Sequence, residues 1–123
     1  MKGPTVSDLI KSSKRPLFTF ELLPPLKGHS IDRIYHTIEG LMEYAPAYIN
    51  FTSHRNEVVL MERPDGLMEK RVTRKRPGTI ALAAAVKYKY NVNVVPHVLC
   101  GGFTKEETEN VLIEMNFLGI NDV

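Results

Sequence analysis

The chain has 123 residues, 43% hydrophobic and 24% charged, a composition that excludes a disordered or fibrous protein and suits one modest globular domain. Sixteen Lys and Arg against fourteen Asp and Glu leave a formal charge of +2, too little to argue by itself for nucleic acid or an anionic membrane as partner. The single cysteine, Cys100, excludes an internal disulfide framework. The polar stretch Met1 to Ser13 has no signal-peptide core, and no run is long enough to span a bilayer, so the expected location is the cytoplasm.

Thr5 to Lys14 reads as a short helix with Thr5 and Asp8 at capping-box spacing, a small apolar face of Val6, Leu9 and Ile10, and Pro16 as its stop. Leu17 to Leu23 is the first predicted strand, closed by Pro24 and Pro25, which cannot donate to a ladder. Ile31, Ile34, Tyr35, Ile38, Leu41 and Met42 then recur at helical spacing until Pro46. Tyr48 to Thr52 is the second strand. Val58 to Met61 and Leu67 to Thr73 flank Arg63, Pro64, Asp65 and Gly66 and predict a hairpin-like excursion over about 58–76.

Thr79 to Lys89, alanine-rich and with Thr79 as its cap, is the next helix. Asn93 to Leu99 is so rich in valine and leucine that a strand buried on both faces is expected, ended by Gly101 and Gly102. Thr104 and Glu107 form a second capping box; Val111, Leu112, Met115 and Leu118 make a stripe, and Gly119 terminates the helix. Ile120 to Val123 reads as the run-in to a fourth strand. Strands alternating with helices predict an α/β fold of βαβ units on a parallel sheet.

Function in such folds gathers at the C-terminal ends of the strands. Glu21 sits there between Phe20 and Leu22; burial would raise its pKa and suit it to general acid work, while pairing with a Lys or Arg is the alternative. Thr52 ends the second strand ahead of the polar run Ser53 to Glu57, where its hydroxyl either bonds a ligand or satisfies nearby backbone. His97 lies inside the third predicted strand, as a ligand contact or a core histidine, and Cys100 reads as a small hydrophobe. The tract Lys70, Arg71, Arg74, Lys75 and Arg76 reads as a solvated hairpin face; the alternative is a non-enzymatic module that binds an acidic partner through it. No glycine-rich dinucleotide fingerprint is present, and the histidines are not spaced as metal ligands.

Four ordered blocks resemble the methylenetetrahydrofolate reductase family: Phe18 to Pro25 around Glu21, Ile49 to Thr52, Pro96 to Cys100, and Phe103 to Ile120 with its Leu, Gly, Ile turn. The likeness spans Leu17 to Val123. It departs from the family pattern after Glu21, where Leu22 and Leu23 stand in place of the usual aromatics, and the Arg, Gly, Asp signature of the family's next strand is not in the chain. The resemblance implies a (β/α)₈ TIM barrel, a fold of about eight strand and helix pairs over roughly 250 residues. Residues 1–123 would then be the N-terminal part of one catalytic domain: three βα units and the start of strand four. It also implies FAD as cofactor, NAD(P)H as co-substrate, methylenetetrahydrofolate as substrate, no nucleic acid or membrane partner, and a homo-oligomer when complete. Glu21 would be the acid that protonates the folate nitrogen, and Thr52 and His97 flavin contacts. The isolated chain is expected to be inactive.

Overall fold

The computed structural model describes residues 3–123; Met1 and Lys2, the start of the polar N-terminal stretch, lie outside the described residues. The chain is mixed α/β. Its elements in order are α1 (Val6–Ser12), β1 (Thr19–Leu22), α2 (Asp32–Leu41) followed by a 3₁₀ turn (Met42–Tyr44), β2 (Tyr48–Phe51), β3 (Glu57–Glu62), β4 (Met68–Thr73), α3 (Thr79–Tyr90), β5 (Asn93–Pro96), a second 3₁₀ turn (Cys100–Gly102) and α4 (Lys105–Phe117). β1, β2 and β5 form a parallel sheet in that order, and β3 and β4 pair only with each other. Among the described residues no helix is long and apolar enough to cross a membrane.

The sheet register sorts the strand residues onto two faces. Phe20, Ile49 and Val94 lie in one row, and Leu22, Phe51 and Pro96 in the next. That face is the buried one, because successive residues of a strand alternate sides. Onto it pack Ile34 and Ile38 of α2, Leu82, Ala83 and Val86 of α3, and Met115 of α4. Ala83 and Ala84 allow α3 to approach the sheet closely, and the side chains of Phe51, Ile38 and Ile49 are fully enclosed. α2 and α3 are tied across the layer: Tyr35 and Tyr90 meet edge to face at 5.9 Å, and Lys89 Nζ lies 3.8 Å from the Tyr35 ring centre. The Tyr90 hydroxyl donates to the Tyr35 carbonyl at 3.3 Å or to Glu39 Oε1 at 3.2 Å.

The other sheet face, bearing Thr19, Glu21, Tyr48, Asn50, Asn93 and Val95, is not covered by a layer of helices. The expectation of a strand buried on both faces fails here: Val95 is only half-buried, because all three longer helices pack on one side. α1 meets the sheet at the strands' N-terminal end. It borders a cavity of about 550 Å³ with Ile10, Tyr48, Asn50 and Val95, the Val6 N–H donates to Asp122 Oδ1 at 3.0 Å, and Asn93 Nδ2 donates to the Pro4 carbonyl at 3.0 Å.

Both capping boxes form, with Thr5 and Asp8 at the start of α1 and Thr104 and Glu107 at the start of α4. The hydrogen bonds from Thr5 hold the Asp8 carboxyl below its usual pKa. Thr79 is the first residue of α3 rather than its cap, which is Gly78. Its hydroxyl donates instead to the His97 carbonyl at 3.0 Å, joining the helix start to the end of β5.

Two further expectations, the end of β5 and a fourth strand, are corrected. β5 stops at Pro96 and not at Leu99; the chain then turns into the 3₁₀ segment, so His97 lies just past the strand. Cys100 is exposed, because that turn lifts it off the sheet. Residues 120–123 join no ladder: the end of α4 turns back on itself, with the N–H of Gly119, at φ +64°, donating to Asn116 and that of Ile120 to Met115. The excursion is an antiparallel hairpin closed over Arg63 to Leu67, and one face carries Val58, Leu60, Met68 and Val72, all exposed.

Candidate functional site

The carboxyl ends of β1, β2 and β5 bring the candidate residues to one edge of the open face. Glu21 pairs in register with Asn50, and Asn50 with Val95, so these three form one row. Two residues further along β2 comes Thr52, and two beyond Val95 comes His97. The ladder continues just past the assigned strands: the Thr52 N–H donates to the Leu22 carbonyl at 3.0 Å and the His97 N–H to the Phe51 carbonyl at 2.9 Å. Backbone hydrogen bonds therefore fix both residues relative to Glu21.

The Thr52 hydroxyl donates to Glu21 Oε1 at 3.0 Å. Among the described residues this is the side-chain hydrogen bond that joins two of the three candidates. It leaves Glu21 Oε2 free of that bond and the Thr52 oxygen able to accept another. Glu21 is exposed, so the burial on which its expected activation rests is absent, and the reason lies in the alternation: Phe20 and Leu22 point to the core while Glu21 takes the opposite face. The alternative pairing with a Lys or Arg does not form among the described residues.

His97 is half-buried, and the hydrogen bonds that hold it run through its backbone, to Phe51 from the N–H and from Thr79 to the carbonyl. Asn50, half-buried between Glu21 and Val95, is a candidate that sequence reading passed over. Counting back two from Thr52 along a strand would have found it. The residues of the basic tract make separate contacts. Lys70 and Arg71 lie on β4, where Arg71 pairs with Glu69 at 2.9 Å; Lys75 pairs with Glu57 at 2.7 Å, and Arg76 donates to the Pro24 carbonyl. Among the described residues no group of His, Cys, Asp and Glu is arranged to hold a metal ion.

The Methylenetetrahydrofolate reductase family model matches residues 5–123, from the cap of α1 through α4. The chain belongs to this family. No curated protein matches it. Methylenetetrahydrofolate reductases are oxidoreductases, generally flavin-dependent, that act on a folate, so the open sheet edge carrying Glu21, Thr52 and His97 belongs to a chain of that chemical class. A flavin ring system presents alternating hydrogen-bond donors and acceptors around a flat apolar body. The groups at this edge suit such a rim: a hydroxyl with a free lone pair on Thr52, a carboxamide on Asn50, an imidazole on His97, and Val95 as the apolar neighbour.

Proposed function

We propose that the chain forms the first three βα units of a (β/α)₈ barrel and contributes the proton donor of a methylenetetrahydrofolate reductase. In this reading residues 1–123 belong to a single catalytic domain, with the hairpin of β3 and β4 as an excursion from it. Three parallel strands with one face left uncovered support it, since a closed barrel uses about eight, and its interior is lined by the face that is open here. The observation that carries the assignment is the hydrogen bond from Thr52 to Glu21. It couples the proposed acid to a proposed flavin contact at the carboxyl ends of adjacent strands, where barrel enzymes place their chemistry.

The overall reaction takes 5,10-methylenetetrahydrofolate to 5-methyltetrahydrofolate. When bound, FAD accepts a hydride from NAD(P)H and supplies one to the methylene carbon. The chain's own residues handle the proton and the positioning. Glu21, oriented through Oε1 by Thr52, delivers a proton from its other carboxyl oxygen to the folate nitrogen as the methylene bridge opens. The carbon left as an iminium is then able to accept hydride. Thr52 and His97 would hold the flavin at the sheet edge, His97 through a position set by its two backbone hydrogen bonds.

The test is made with this chain joined to the rest of a complete barrel. Bound flavin should bleach when NADH or NADPH is added anaerobically and recover its absorbance on addition of methylenetetrahydrofolate. A purified protein that retains no flavin, or whose reduced flavin is not reoxidised by the folate, would refute the reading.

A further inference from the structure

Beside the candidate site the chain builds a second feature from residues separated in sequence. Arg55 follows β2, three residues after Thr52, and Arg74 and Arg76 follow β4. The two segments converge because the base of the hairpin is pinned to the exit of β1: the Lys27 N–H donates to the Lys75 carbonyl at 2.9 Å and Arg76 donates to the Pro24 carbonyl. The Arg55 guanidinium also reaches the loop after β5, since a Cβ built on Gly101 would meet its terminal nitrogen at 3.7 Å.

Two adjoining cavities share Arg55, Arg74 and His54 as walls. One, of about 170 Å³, is completed by Ser53, Leu99 and Phe103 among others; the second, of about 220 Å³, by Lys75, Arg76 and Glu57. Glu57 is the acidic residue lining the second, and it is paired with Lys75 at 2.7 Å. Arg55, Arg74 and Arg76 form no ion pair among the described residues. Three guanidinium groups lining one cavity beside a carboxylate already engaged by Lys75 repel one another, and an added anion relieves that repulsion through planar, two-pronged hydrogen bonds. Each cavity is smaller than the roughly 300 Å³ at which small-molecule pockets begin. Their size and lining suit a chain of anionic groups better than a ring system.

We propose that Arg55, Arg74 and Arg76 form a subsite for the polyanionic tail of a ligand whose ring system lies at the Glu21 and Thr52 edge. This rests on the reductase reading for the identity of the ligand, but not for the existence of the anion site. Ser53 directly follows Thr52, so a tail leaving the sheet edge enters the smaller cavity first. The shared chemistry is a row of carboxylates or phosphates, supplied by a γ-linked glutamate tail on a folate or by the phosphates of a nucleotide.

The test is calorimetric titration of the 123-residue chain at low salt with three probes: inorganic tripolyphosphate, folate with one glutamate, and folate with three γ-linked glutamates. Arg55→Gln and Arg74→Gln should each weaken tripolyphosphate binding about tenfold, the scale of a lost charge-assisted hydrogen bond. The double variant Lys70→Gln/Arg71→Gln, further up the hairpin, should leave it unchanged. If the triglutamate binds about tenfold more tightly than the monoglutamate and Arg55→Gln removes that preference, the subsite is upheld and the tail is a carboxylate chain. If tripolyphosphate binds with the same arginine dependence and tail length has no effect, the subsite is upheld for phosphates. Equal losses in the Lys70/Arg71 variant, or binding indifferent to Arg55 and Arg74, would overturn the proposal. Failure of the reductase reading is separate: it appears in the flavin half-reactions and leaves tripolyphosphate binding intact.

Discussion

Replacing Phe51 by alanine should unfold this protein more readily than any exposed substitution, and by an amount the structure sets. Phe51 is 0% exposed, at the carboxyl end of the central strand, between Leu22 and Pro96 in register and facing the core of α2 and α3. Truncating an enclosed phenylalanine costs about 3–5 kcal/mol, because transfer energy is lost and a cavity stays behind. A chain of 123 residues has roughly 6 to 18 kcal/mol of stability in total, and an uncovered sheet face argues for the lower part of that range, so the substitution removes a large share of it. Urea titration followed by far-ultraviolet circular dichroism reads this as a fall in midpoint of about 2 M, for a slope near 2 kcal/mol per M that the variant leaves unchanged. Phe117, 80% exposed on α4, is the control; its alanine variant should stay within about 0.5 kcal/mol of the parent. Equal shifts for the two variants, or a Phe51→Ala shift below about 0.5 M, would refute the packing of the helices on the Ile49 and Phe51 face.

Two further predictions concern helix ends and titration. Gly119 ends α4 at φ +64°, where a side chain is strained, so Gly119→Ala should lower stability by about 1–2 kcal/mol in the same urea assay; no loss would contradict the left-handed turn. Tyr90 has its pKa pushed up to about 12, first by burial and then by Glu39, which accepts a hydrogen bond from the phenol. Its folded-state pKa lies above the unfolded value of 10.0, so its contribution to stability is fully present below that pH and is lost as pH rises toward about 12. A phenolate absorbance titration should show a late-ionising tyrosine missing from Tyr90→Phe; identical curves would remove the Tyr90 and Glu39 contact.

Much of the fold can be read from local signals because those signals are local in origin. The two capping boxes need only residues three apart, and the hairpin needs only Pro64, Asp65 and Gly66 between β-favouring runs. What the chain conceals is which face of a strand meets a neighbour. Val94 and Val95 look alike in sequence, yet Val94 meets α3 and Val95 faces the open side. The same blindness affects Glu21: its neighbours are apolar, but alternation turns it away from them to the exposed face. Glu21 and Thr52, 31 residues apart, meet only because β1 and β2 pair in parallel. Arg55 and Arg74 line the same cavities only because the base of the hairpin folds back onto Pro24 and Lys27. Cys100 shows the limit of reading residue type alone, since a 3₁₀ turn exposes it whatever its hydrophobicity.

In the proposed reaction Glu21 gives the proton on which folate reduction depends, while electron entry from the nicotinamide does not use it. The most direct measurement compares the two half-reactions of Glu21→Gln in a protein that carries this chain within a complete barrel. Stopped-flow bleaching of the flavin by NADH or NADPH should proceed at close to the parent rate. Reoxidation by methylenetetrahydrofolate should be lost, by at least the roughly 100-fold contribution expected of a positioned general acid. Equal slowing of both half-reactions, or reoxidation at the parent rate, would contradict the assignment.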